Sequence, residues 1–217
     1  RDALRRHAAV TRGLFITGTD TGVGKTRLGA LLIRELVGRG IHVCARKPVE
    51  SGCVRQGDDL LPADALALRE AAGNREPLDR ICAFPLEAPV SPTRAAALAG
   101  QSLRLEQLVA ACRDEVGAED FLVVEGAGGF LSPLTRDALN ADLAQRIGLP
   151  VVLVAADRLG AHGLDPDSAI DLVAHRLGKR AVLRIVGRQG TQYARLRPVT
   201  SGLGRAAYDR DPSLWSA

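Results

Sequence analysis

The sequence predicts a doubly wound α/β fold on a mostly parallel sheet, and two observations carry that prediction. Short apolar runs recur along the chain and are separated by segments with helical spacing. Three of those runs, GLFITG, FLVV and PVVLVA, are continuous rather than alternating, as in strands covered on both faces. Ligands of such sheets gather beyond the carboxyl ends of the strands. Three chemically unusual segments fall there: the turn after the first strand, Lys47-Pro48-Val49 after the second, and Glu125–Gly129 after FLVV.

The elements follow in order. Gly13–Gly18 reads as the first strand. Thr26–Arg39 has helical spacing, with Leu28, Leu31, Leu32 and Leu36 on one stripe and Gly40 as its stop. Ile41–Val49 reads as the second strand and Leu61–Ala72 as a helix rich in Ala and Leu. Ser91 and Pro92 open a short helix through about Ala99, because proline suits a first helical turn. Leu105–Val116 is helical, and Asp120–Val124 is a strand that delivers Glu125. Ala138–Ile147 is helical, Pro150–Ala155 is a strand, and Ala181–Val186 is a further one. With no internal repeat and no low-complexity linker, one domain over residues 1–217 is expected.

Composition narrows the function. The chain has 217 residues, 46% of them apolar and 3% aromatic, with a formal net charge of +4. That length suffices for a substantial core. Its arginines are scattered and stacking aromatics are nearly absent, which argues against a nucleic-acid surface. Cys44, Cys53, Cys82 and Cys112 form no C-x-x-C pair, so a zinc knuckle is not expected. Cys44 and Cys112 read as small buried hydrophobes. His7, His42, His162 and His175 show no ligand spacing and read as surface or strand residues. No apolar run reaches the roughly 18–20 residues of a membrane span, and RDALRRHAAVTR is too polar for a secretory signal. A reduced, cytoplasmic protein is expected.

The segment Gly13–Thr26, GLFITGTDTGVGKT, is a strand, a Gly-rich turn and then Lys-Thr opening a helix. In that layout backbone N–H groups and a helix N-terminus face phosphates, Lys25 supplies a point charge, and Thr26 offers a hydroxyl to Mg²⁺. The fold is therefore P-loop NTPase-like, although Thr19 stands where the common expression has its first glycine. Only three lysines occur, Lys25, Lys47 and Lys179, in a chain otherwise rich in arginine. A retained lysine marks a place for a compact ammonium. Lys47, leaving a strand end in KPVESG, is either a solvated residue or a charge over a transferring phosphoryl group. Glu125 in VVEGAGG is either a buried ion-pair partner or a carboxylate for Mg²⁺, which takes one or two carboxylates plus phosphate oxygens. Asp64 in PADALAL reads locally as a helix N-cap, with a second Mg²⁺ carboxylate as the alternative.

Together, GTDTGVGKT, KPVESG, ADALAL, PVSP, VVEGAGG and LPVVLVAADRLG resemble the dethiobiotin synthetases over roughly residues 13–160. The resemblance implies ATP- and Mg²⁺-dependent closure of the dethiobiotin ureido ring from 7,8-diaminopelargonic acid and CO₂, by a homodimer, in biotin synthesis. It implies that Gly22, Val23, Gly24, Lys25, Thr26 and Arg27 wrap the phosphates, and that Lys25 and Lys47 are catalytic. It places Thr26, Asp64 and Glu125 on Mg²⁺, turning Asp64 from cap to ligand. Thr21, Lys47 and Ser51 are then substrate-binding, and Glu125, Gly126, Ala127 and Gly128 lie along the nucleotide. The loop also resembles the deviant P-loops of scaffold and partitioning ATPases, but these carry a signature lysine where this chain has Asp20.

Beyond Gly160 the resemblance ends. AHGLDPDSAIDLV has no Asn before His162, and the strand in RAVLRIVGRQG lacks the family's adenine-reading Asn. SPTRA also lacks the family's His. Residues 161–217 are either a divergent substrate- and base-recognition region or the product of a changed reading frame. A scaffold ATPase and a catalytically impaired homologue are the competing readings.

Overall fold

The computed structural model describes residues 12–156 together with the backbone strands 182–188 and 191–199. In chain order the first half contains β1 (Gly13–Gly18), α1 (Lys25–Gly38), β2 (Val43–Arg46), β3 (Val49–Ser51), β4 (Val54–Gln56), β5 (Asp59–Leu61) and α2 (Ala63–Ala71). Then come α3 (Leu78–Ile81), β6 (Phe84–Leu86), α4 (Pro92–Leu98), α5 (Leu105–Arg113), β7 (Phe121–Glu125), α6 (Asn140–Ile147), β8 (Val151–Ala156), β9 (Val182–Arg188) and β10 (Thr191–Val199).

Six strands form one sheet in the order β10-β9-β8-β1-β7-β2. All its pairings are parallel except β10 with β9, which is antiparallel. The mostly parallel, doubly wound sheet expected from the sequence is therefore present. Side-chain alternation splits each central strand between two helical layers. Phe15, Cys44, Leu122, Val124, Val151 and Leu153 face the core shared with α4, α5 and α6. Ile16, Ala45, Val123, Val152 and Val154 face the core shared with α1 and α2. Burial on both faces explains why these strands read as unbroken apolar runs.

Helix α1 ends where glycine permits: Gly40 has φ +76° and its N–H donates to the Val37 carbonyl at 2.9 Å. The expected second strand, Ile41–Val49, is shorter than anticipated. It stops at Arg46, and after Lys47-Pro48 the chain leaves the sheet as β3, which pairs parallel with β6. Proline has no N–H for a ladder, and here Lys47 N–H bonds the Ile81 carbonyl instead, at 2.8 Å. The strand end is fixed by Arg46, which is fully buried. Its guanidinium donates to Glu76 through two nitrogens, at 2.8 and 2.9 Å, and to the Asp114 and Ala45 carbonyls, both at 2.8 Å.

At the opposite end of the sheet, Asp120 ties β7 to β2 through the His42 ring at 2.7 Å and the Cys44 thiol at 3.4 Å. His42 is thus an exposed residue beside a strand, as expected, and is paired there. Cys44, Cys53, Cys82 and Cys112 are all free and buried. Burial pushes the Cys44 and Cys112 thiols up to about 12, which keeps them protonated. His7, His162, His175 and the divergent stretch 161–217, apart from the backbone of 182–188 and 191–199, lie outside the described residues.

Candidate active site

The carboxyl ends of the adjacent strands β1, β7 and β2 bring the candidate residues together. β1 runs into the Gly-rich loop, in which Gly22 and Gly24 have φ +70° and +99°. A Cβ at either would meet no atom within 4 Å, so the loop borders open space on the side where a phosphate would sit. Lys25 and Thr26 form the first turn of α1. The buried Lys25 ammonium reaches back across the loop to the Asp20 carbonyl at 2.7 Å. Val23 tucks its side chain toward Gly18, while Thr21 and Arg27 are exposed at the loop and on the helix.

Glu125 ends β7 with no solvent exposure, and one of its oxygens accepts from two predicted partners. Thr26 Oγ1 donates to Glu125 Oε1 at 2.8 Å, and Lys47 Nζ donates to the same oxygen at 2.6 Å. Lys47 Nζ also donates to Asp64 Oδ2 at 2.7 Å. Five residues named from sequence, Lys25, Thr26, Lys47, Asp64 and Glu125, therefore share one site. Burial lowers the Lys47 pKa, but the flanking Glu125 and Asp64 carboxylates outweigh it and hold the ammonium above its ordinary range. Burial raises Asp64, yet the same ammonium brings its carboxyl below the usual range. Lys25 is held below its ordinary value, by burial first and by repulsion from Lys47 second.

The donor set fits Mg²⁺. Two carboxylates and a hydroxyl are the hard oxygen ligands it takes beside phosphate. Glu125 Oε2, moreover, is buried and has no hydrogen-bond partner, which is costly for a charged oxygen unless a cation completes it.

The local reading of Asp64 as an N-cap is corrected. Helix α2 begins at Ala63, the cap position is Pro62, and no side chain of the cap residue bonds the helix. The first-turn N–H groups of Asp64 and Ala65 instead donate to Glu50 Oε1 and Oε2, at 2.9 and 3.0 Å. Asp64 is thereby free to turn its carboxylate toward Lys47. The other N-cap expectation, at Ser91, is met in position but without a side-chain bond.

After Glu125, Gly126 donates its N–H to the Ile16 carbonyl at 2.9 Å, and Phe130 donates to the Gly18 carbonyl at 2.7 Å. The Gly126–Gly128 backbone is thus strapped beside the phosphate loop. Buried Asn140 braces it by donating to the Ala127 carbonyl and, at 2.8 Å, to the Gly129 carbonyl. A Cβ on Gly126 would lie 2.6 Å from Asn140 Oδ1 and would push that amide from its place. Ser51 ends β3, half-buried, four residues beyond Lys47. Glu50 and Asn140 were not singled out from the sequence. Glu50 sits inside KPVESG, one residue past the expected strand end at Val49; the available signal was Pro62, which cannot cap the helix it precedes.

A family model described as an AAA domain matches residues 12–187. The ATP-dependent dethiobiotin synthetase BioD of Ruthia magnifica subsp. Calyptogena magnifica is 47% identical over 150 residues, 69% of this chain and 68% of that protein. The chain belongs to the dethiobiotin synthetase family. The synthetase of Anaeromyxobacter dehalogenans (strain 2CP-C) is 46% identical over 149 residues, 69% of this chain and 65% of the relative. That of Aeromonas salmonicida (strain A449) is 39% identical over 153 residues, 70% of this chain and 67% of the relative. The matches thus span about two thirds of the relatives' length. Dethiobiotin synthetases are ATP-dependent ligases, which agrees with the P-loop α/β fold. Among the described residues, no helix is long and apolar enough to cross a membrane.

Proposed function

We propose that this chain closes the ureido ring of dethiobiotin from 7,8-diaminopelargonic acid, CO₂ and ATP. The observation that carries the reading is the meeting of Lys47, Asp64 and Glu125 beside the phosphate loop, with ammonium-to-carboxylate distances of 2.7 and 2.6 Å. A structural ion pair needs neither a P-loop beside it nor an unpartnered carboxylate oxygen.

The chemistry is mostly placement and charge. One substrate amine adds to CO₂ and loses a proton, giving a carbamate. A carbamate oxygen attacks the γ-phosphorus, the bond to ADP breaks, and a carbamic–phosphoric anhydride results. The second amine then attacks the carbonyl carbon and gives up a proton, the carbon–oxygen bond breaks, and phosphate leaves carrying that oxygen. Lys25 and the loop N–H groups hold the phosphates, and Lys47 faces the carbamate and the transferring phosphoryl group as negative charge spreads over them. Gly22, Val23, Gly24 and Arg27 supply the loop and first-turn backbone around the phosphates. Gly126, Ala127 and Gly128 flank the nucleotide, and Thr21 and Ser51 contact the diamine. Thr26, Asp64 and Glu125 would hold Mg²⁺, which when bound would supply positive charge to neutralise the phosphates. The chain acts as one domain over 1–217 and as a homodimer in the cytoplasm, a compartment that suits its free cysteines.

ADP release measured with and without the diamine and bicarbonate tests this. Release that needs both supports the ligase. Release independent of them indicates a scaffold-type ATPase, and nucleotide binding without turnover indicates an impaired homologue. Light scattering after size-exclusion chromatography tests the dimer.

A further inference from the structure

Glu50 carries a buried carboxylate that none of the steps above uses. It lies on β3 at 7% exposure, three residues after Lys47. Both of its oxygens are engaged by backbone of another element: Oε1 accepts the Asp64 N–H at 2.9 Å and Oε2 accepts the Ala65 N–H at 3.0 Å. Those are the second and third N–H groups of α2, the pair that an N-cap side chain ordinarily satisfies. The cap position itself holds Pro62, which has no side-chain oxygen. The helix therefore depends on a carboxylate fourteen residues earlier in the chain for its start.

We propose that Glu50 is a positioning residue that sets the metal-binding carboxylate of Asp64 by clamping that residue's own backbone N–H. The proposal rests on the reading of Asp64 as a Mg²⁺ ligand. One short segment, Lys47–Glu50, then delivers both the site's ammonium and the clamp on its outer carboxylate. Both Glu50 oxygens are engaged by the α2 backbone, so its action is through Asp64. A metal ligand displaced by a fraction of an ångström binds more weakly, and outer-shell groups that orient ligands are worth about 10–100-fold in metal affinity.

The test measures Mn²⁺ binding to the full chain with adenylyl imidodiphosphate present, reading free Mn²⁺ by electron paramagnetic resonance. In Glu50→Gln one clamp N–H loses its acceptor and faces an amide donor. The expected result is a Mn²⁺ Kd raised about tenfold, with the metal-free Kd for ADP unchanged. Glu50→Asp, whose carboxylate stops one methylene short, is expected to behave alike and serves if Glu50→Gln does not fold. Leu108→Ala, a buried change on α5 in the other core layer, is the control for general loosening.

A Mn²⁺ Kd unchanged in the Glu50 variants while Asp64→Asn weakens binding overturns the proposal and leaves the site reading standing. Equal weakening by Leu108→Ala overturns it as well. Unchanged Mn²⁺ binding in Asp64→Asn removes Asp64 from the metal site and takes this proposal with it.

Discussion

Replacing Lys47 by Met tests the electrostatic core of the site without any substrate. Methionine keeps most of the apolar stem, so little cavity cost enters. The loss is the ammonium, which lies 2.6 Å from Glu125 Oε1 and 2.7 Å from Asp64 Oδ2. The two partners differ in weight. The Asp64 side chain is 42% exposed, so water screens that pair to roughly 0–1 kcal/mol. The Glu125 and Lys47 side chains are 0% and 3% exposed, and removing one member of a buried pair costs about 3–5 kcal/mol. The variant should therefore lose about 3–5 kcal/mol in a urea titration without nucleotide. At 2–4 °C per kcal/mol for a chain of this size, that is a fall of roughly 6–20 °C in Tm. Millimolar Mg²⁺ should restore part of it, because a cation on Glu125 and Asp64 binds the folded form alone. Wild type should gain less from Mg²⁺, since Lys47 already neutralises those carboxylates. A Lys47→Met protein as stable as wild type and indifferent to Mg²⁺ would refute the reasoning, and Lys47 would then not compensate Glu125 in solution.

Four further outcomes are expected. Glu76→Ala leaves the fully buried Arg46 without its carboxylate and should cost about 3–5 kcal/mol by urea titration. Asn140→Ala removes the donor to the buried Ala127 carbonyl, while the Gly129 carbonyl keeps the Ser132 N–H; it should cost about 1–3 kcal/mol and weaken ADP binding measured by calorimetry. Asp64 has a folded pKa below its ordinary value, so its contribution is present above about pH 4 and fades as pH falls through the folded value. The stability gap between wild type and Asp64→Asn should accordingly shrink between pH 7 and pH 3. The four buried cysteines should resist a thiol-reactive disulfide in the native chain and all react in urea.

The part of the site that phosphate chemistry dictates locally was legible in the sequence. Gly22, Gly24, Lys25 and Thr26 must be contiguous to form a cradle, and β7 announces Glu125 because a strand buried on both faces is an unbroken apolar run. What the sequence concealed depends on distant partners. The Asp64 cap assignment failed because the carboxylate that caps α2, Glu50, lies on β3. Ile41–Val49 reads as one strand only across Arg46, Lys47 and Pro48; Pro48 and the Lys47–Ile81 bond instead turn the chain into a separate ladder with β6. The β4–β5 hairpin is concealed because its strands, β4 exposed and β5 half-buried, are three residues each and show no apolar alternation. The arginine-bearing β10 was missed in the same way, since its pairing with β9 is a matter of register rather than of composition.

The central claim is that a carbamate oxygen attacks ATP at this site. Single turnovers with ¹⁸O-labelled CO₂, the diamine and ATP test it most directly, with the released phosphate examined by mass spectrometry. The mechanism predicts one labelled oxygen in phosphate for each dethiobiotin formed, and no phosphate without the diamine. Phosphate released without label, or released in the absence of the diamine, would contradict it.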